Sequence, residues 1–153
     1  MTEAIDKEKV LAHLNKILEL ELAGVVRYTH YSLMVYGYGR IPIVSWLREQ
    51  ANESLQHAQQ AGELITHLGG HPSLGIGPLL ETHQHEIGDI LRESLDHEKA
   101  ALAHYHQLLT LTQNHSVLLE EYARQMIAAE EAHLGEVDKM LRAPGDVKPF
   151  VSD

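Results

Sequence analysis

The sequence predicts an all-α fold, a four-helix bundle with one long crossover between its second and third helices. Three observations predict it. Four stretches carry seam residues at alternating steps of three and four, the period of a helix packed in a bundle. Two short connections flank one longer connection rich in glycine and proline. The segments ELAGVVRY at 21–28 and EKAALAHY at 98–105 share a Glu and, two helical turns on, a Tyr, so the halves of the chain read as variants of one helix pair.

The first helix is expected over 6–36, with the seam Leu11, Leu14, Leu18, Glu21, Val25, Tyr28, Ser32 and Val35. YGYGR at 36–40 breaks the period, and Pro42 suits the first turn of the next helix, where a missing N–H costs nothing. The second helix, 42–68, carries Leu47, Gln50, Ser54, His57, Ala61, Leu64 and Leu68, and Gly69-Gly70 with Pro72 should stop it. Residues 69–78, GGHPSLGIGP, form the long connection. The third helix is expected over 78–112, with Ile87, Leu91, Ser94, Glu98, Ala101, Tyr105 and Leu108. After a break at Gln113-Asn114-His115, Ser116 should cap the fourth, 116–142, whose seam is Leu119, Tyr122, Met126, Ala129/Glu130, His133, Val137 and Met140. The tail 143–153 holds two prolines and a glycine and should be irregular.

Composition bounds the function. At 153 residues and 44% hydrophobic, the chain reads as one domain, 1–153, with a sizeable core. No apolar run approaches the roughly 18–20 residues of a membrane span, and MTEAIDKEKV lacks a signal peptide's basic start and apolar middle, so a cytoplasmic location and no membrane partner are expected. A net charge of -10 without a basic tail argues against nucleic acid as a partner. With no cysteine, any metal must be held by carboxylate and imidazole, a set that suits iron, manganese or zinc. Twelve histidines are many. His83, His85 and His115 read as residues on surfaces or near helix ends, and His97, His104 and His106 as structural or exposed.

The chemistry lies at seam positions that ought to be apolar but hold Glu21, His57, Glu98, Glu130 and His133. A buried carboxylate or imidazole costs several kcal/mol unless compensated, and a metal is the usual compensator for such a cluster. Glu130 and His133 form E-x-x-H, whose ends are one turn apart and can grip one ion from a single helix. Di-iron carboxylate bundles use one Glu from each of two helices and Glu-x-x-His from each of the other two. Glu21 and Glu98 supply the single carboxylates, and the second helix should supply the other pair. There Ser54 stands three residues before His57. Glu53, four before, lies about 40° to the other side of His57, at about 100° per residue, and is a candidate sixth ligand. Two ferrous ions bring four positive charges and three carboxylates cancel three, so the second ion should bind more weakly unless Glu53 supplies the fourth.

Each residue also has a plainer reading. Glu21 or Glu98 alone reads as a buried acid bonded to Tyr28, Tyr105 or a histidine, and His57 alone as a satisfied core histidine. Tyr28 and Tyr105 read equally as packing residues, and Met34, Met126 and Met140 as core.

LNKILELELAGVVRYTHYSLM, HAQQAGELITHLGGHPSL and EEAHLGEVDKML make the chain resemble the ferritin-like superfamily, and within it bacterioferritin, over nearly all of 5–142. The resemblance implies iron ligands, and hence catalytic residues of a ferroxidase, at Glu21, His57, Glu98, Glu130 and His133. It implies that ferrous iron is oxidised by oxygen or peroxide and stored. The second-helix glutamate of the family falls on Ser54, and Glu53 falls where bacterioferritins often place an acid facing the storage cavity. The family's haem-ligating methionine falls on Leu55, so no haem is expected. Its short fifth helix would fall in the tail, so a homo-oligomer, a dimer at least, is expected rather than a closed shell of 24. The alternative is a non-catalytic bundle binding one metal or none and acting as a structural or interaction protein. A DNA-protecting miniferritin fits less well, since those place iron between subunits and often carry basic tails.

Overall fold

The computed structural model describes residues 4–79 and 81–149, which hold four helices: α1 (Lys7–Met34), α2 (Arg40–His67), α3 (Ile87–Thr112) and α4 (Val117–Leu141). Their ends follow from local chemistry. Asp6 caps α1 by accepting from the Lys9 amide, and Ser116 caps α4 by accepting from Leu119. Arg40 closes the other end of α1, its guanidinium donating to the carbonyls of Val35 at 2.6 Å and Ser32 at 3.3 Å. α2 ends in a Schellman turn. Gly69, at φ +80, lets the Gly70 amide reach the Ile65 carbonyl and its own amide reach Thr66.

The third helix begins nine residues later than expected, at Ile87 rather than Pro78. Local side chains take the backbone amides that a helix would have used. Glu81 accepts from the His83 amide, the Thr82 hydroxyl from the Gln84 amide, and Glu93 from the Thr82 amide, while His83 turns the chain at φ +59. The expected tail is irregular over 143–149, and its last four residues lie outside the described ones.

α1 packs against α2 and against α3, and α3 packs against α4. The crossover runs along α1: Ser73 bonds Asn15 and Glu19, Gly77 bonds the Glu19 carbonyl, and Arg27 bonds the Pro78 carbonyl. It continues to Glu81 beside His30, so from Asn15 to His30 it tracks about 22 Å of α1, at 1.5 Å per residue. That path returns the chain to the end of α1 where α3 starts.

The backbones of α2 and α4 stand further apart, and a cleft of about 520 Å³ opens between them, with Glu49, Glu53, His57, Tyr122 and Met126 in its walls. The core is in two main parts. One is built around Leu14, Ile17, Ala61, Ile65, Leu108 and Leu119, the other around Tyr31, Val35, Val44, Leu47 and Ile90. The polar seam residues lie in the stretches of helix between them.

Candidate metal centre

Glu21, Glu98 and Glu130 are almost wholly buried, at 3%, 5% and 4% exposure, and His57 and His133 are nearly so. The helical period delivers one carboxylate each from α1, α3 and α4 to the bundle axis, and both histidines follow from α2 and α4. They fall into two linked groups.

In the first, His57 Nδ1 lies 3.5 Å from Glu21 Oε1 and 3.7 Å from Glu130 Oε1. One ligand atom from each of the three falls within 4.8 Å of the others. In the second, Glu98 Oε1 lies 4.0 Å from His133 Nε2, and the Tyr28 hydroxyl sits between, 2.6 Å from Glu98 and 3.2 Å from His133. The two repeats close on each other: Tyr28 of the first bonds Glu98 of the second, and Tyr105 of the second donates to Glu21 at 2.9 Å. Both tyrosines therefore orient acids.

The electrostatics are those of a site short of positive charge. Burial, then the neighbouring Glu98 carboxyl, then Glu21 and Glu53 push Glu130 up to about 12. Burial also raises Glu21, against the opposing bond and charge of His57 and the bond from Tyr105. Burial works against ionised Glu98 too, but Glu130, His133 and Tyr28 outweigh it and hold Glu98 below its ordinary value. Burial disfavours the charged form of His57, yet Glu21, Glu53 and Glu98 hold it above its ordinary value. Between Glu98 and Glu130, the proton resides on Glu130.

The donor set fits a metal. Glu130 Oε2 is sealed from solvent with no hydrogen-bond partner among the described residues, an expensive omission unless an ion or water meets it. A void of about 10 Å³, the room of about one water or ion, is lined by Glu53, Ser54, His57, Glu98, Glu130 and His133, with Gln50 beside them. Ser54 is buried at its edge where a glutamate would have filled it, and its Oγ lies against Gly24, where an added Cβ would come within 2.8 Å.

Glu53 lies on the other side of the His57 ring, 3.7 Å from Nε2, whereas Glu21 and Glu130 face Nδ1. It is half-exposed in the wall of the cleft and also borders the small void lined by Glu98 and Glu130. One residue the sequence reading missed is Trp46, whose ring stacks on His133 at 5.7 Å and 3° between planes, fixing that imidazole from the α2 side. Trp46 stands one place before the seam residue Leu47, and nothing in its spacing marks it.

Comparison with known proteins agrees with this geometry. A family profile described as "Ferritin-like domain" matches residues 11–144. Bacterioferritin from Desulfovibrio desulfuricans is 29% identical over 131 residues, covering 84% of this chain and 72% of that protein. Two solved structures share the fold at 22% identity. A ferritin-like, diiron-carboxylate protein of Bacillus anthracis superposes with a TM-score of 0.79 over 92% of this chain and 100% of that one. A dodecameric thioferritin, the bacterioferritin-related protein of Bacteroides fragilis, does so with 0.83 over 90% and 86%. The match across most of the chain, to helices that converge on buried carboxylates and histidines, places this protein in the ferritin-like family.

Proposed function

We propose that the protein binds ferrous iron at the bundle centre and acts as a ferroxidase of the bacterioferritin type. The observation that carries this reading is the convergence of Glu21, His57 and Glu130, with an orphaned Glu130 oxygen turned into a sealed polar layer. Iron is the substrate: two ferrous ions each give up one electron, and dioxygen takes the pair with two protons to become hydrogen peroxide, or a peroxide takes them and is cleaved to water.

The chain's own residues prepare that event. Glu21, His57 and Glu130 hold one ion, and Glu98 and His133, with Glu130 shared, hold the other. Tyr105 and Tyr28 fix the carboxylates of Glu21 and Glu98, and Trp46 fixes His133. Glu130 loses its proton as metal arrives, since a ligand must bind in its charged form. The α2–α4 cleft, with Glu49 and Glu53 in its walls, offers cations an acidic approach to His57. In this reading Glu21, His57, Glu98, Glu130 and His133 are the ligands, and Glu53, which borders both the cleft and the void, receives the incoming ion. A homo-oligomer fits the exposed Val26 and Leu33, two turns apart on α1.

A second reading rests on Ser54. With three buried carboxylates instead of four, the bundle holds one ion firmly and serves as a non-catalytic metal-binding scaffold. Anaerobic ferrous titration of metal-free protein, followed by oxygen while absorbance is recorded, separates the two. Two irons per chain with rapid oxidation is the expected result. One iron or none, with oxidation at the buffer rate, rejects the ferroxidase.

A further inference from the structure

A second cluster of metal-ligating side chains lies outside the bundle, on the flank where the crossover passes α1. His30 projects from α1, and Glu81 and His85 come from the segment that replaces the expected start of the third helix. His30 Nε2 lies 2.6 Å from Glu81 Oε2, and His85 Nε2 lies 3.3 Å from Glu81 Oε1. One ligand atom from each of the three falls within 4.8 Å of the others; Glu81 and His85 are partly buried, and His30 is about half-exposed. For a tetrahedral ion with zinc–nitrogen bonds near 2.0–2.1 Å, ligand atoms stand about 3.3 Å apart, so small rotations suffice to seat one.

Hydrogen bonding alone leaves this arrangement incomplete. His85 Nε2 is closed off from solvent and makes no hydrogen bond among the described residues, although it faces a carboxylate. Two imidazole nitrogens converging on one carboxylate are the geometry of a donor set, and a buried nitrogen without a partner is costly where no ion meets it. The carboxylate is itself held, because the His83 amide donates to Glu81 Oε1 at 2.6 Å, the kind of outer bond that orients a metal ligand. His83 sits at φ +59, a backbone state that is strained outside glycine, and the turn it makes brings positions 81 and 85 together without a helix. A recess of about 240 Å³, walled by Val26, Arg27, His30, Tyr31, Leu79 and Glu81, leaves space for a water ligand.

We propose that His30, Glu81 and His85 form a second metal site. It takes one divalent transition-metal ion through two imidazoles, one carboxylate and water, and it staples the crossover to α1. The two nitrogens and one oxygen favour a zinc-class or ferrous ion over calcium or magnesium, which prefer all-oxygen sets. The site shares no residue with the bundle centre, so it stands whether or not that centre oxidises iron.

The test is a zinc count by equilibrium dialysis on the full chain, set beside the double variant His30→Ala/His85→Ala and the isosteric Glu81→Gln. None of these residues belongs to the buried core, so the helices should survive, which circular dichroism verifies. Both variants should bind one zinc fewer per chain than the wild type at equal free zinc. Zinc should also slow proteolytic nicking within 69–86 in the wild type alone. Equal zinc counts in all three proteins would overturn the proposal, and so would a loss in the double variant that Glu81→Gln does not share.

Discussion

The Tyr28 hydroxyl on α1 donates a 2.6 Å hydrogen bond to the carboxylate of Glu98 on α3. Tyr105 returns the same bond to Glu21, so each repeat supplies the acid that the other repeat orients. Two buried acids are thereby tied to two phenols that are themselves buried.

Tyr28→Phe removes a donor to a buried acid while keeping the ring that packs edge-on against Tyr31 and His133. A hydrogen bond to a charged group is worth about 1.5–3 kcal/mol, and in a chain of this size each kcal/mol moves the melting temperature by about 2–4 °C. Metal-free Tyr28→Phe should therefore melt several degrees below wild type by calorimetry. A variant that melts with the wild type would mean Glu98 draws nothing from Tyr28.

Ser54→Glu should strengthen the second ferrous ion. Ser54 borders the void shared by His57, Glu98, Glu130 and His133, so a carboxylate there completes both the charge and the E-x-x-H pattern on α2. The expectation is about a tenfold or greater gain in affinity for the second ion, about 1.4 kcal/mol, with faster oxidation. Anaerobic titration reads the first and stopped-flow absorbance the second. If neither stoichiometry nor rate moves, the centre is not limited by the missing carboxylate.

The buried acids were legible because polar residues interrupt an apolar period, and a helix carries that period into space with little freedom. Glu21, Glu98, Glu130 and both histidines were found that way. The start of α3 was misread because Pro78 fits a helix's first turn, whereas the amides of 82–84 are taken by the side chains of Glu93, Glu81 and Thr82. The helical angle put Glu53 near His57, and the structure sets it where the cleft meets the void lined by Glu98 and Glu130, a position that no angle about one helix specifies. Trp46 lies off the seams, and although Glu81 and His85 are four residues apart, their partner His30 is far away in sequence, so the cluster is not announced locally.

Glu53→Gln should leave the iron count per chain unchanged and slow the uptake of iron at low ionic strength. Glu53 meets His57 Nε2 from the cleft side, where its charge meets approaching cations first. Stopped-flow rates over a salt series check this, since the difference from wild type should shrink as salt screens the cleft. Loss of one iron per chain would instead make Glu53 a ligand.

Glu130 makes the stability of the metal-free protein depend on pH in a direction opposite to that of an ordinary paired carboxylate. Its value rises from 4.5 unfolded to about 12 folded, so between those limits the folded chain holds a proton that the unfolded chain has lost. The stability it contributes is full below pH 4.5 and declines as pH rises through that window. Glu21 and His57, both raised, act in the same sense, while the lowered Glu98, His97 and His104 have exerted their opposite effect by about pH 7. From pH 7 to 9 the metal-free wild type should therefore lose stability, at up to about 1.4 kcal/mol per pH unit for each proton concerned. Glu130→Gln cannot release that proton, so its slope should be shallower and its iron binding lost. Bound iron should reverse the trend in the wild type, because affinity rises as competing protons leave. Denaturant titrations of both proteins at pH 7 and 9 under chelator measure the slopes. Equal slopes in the two would show that Glu130 is ionised in the metal-free fold.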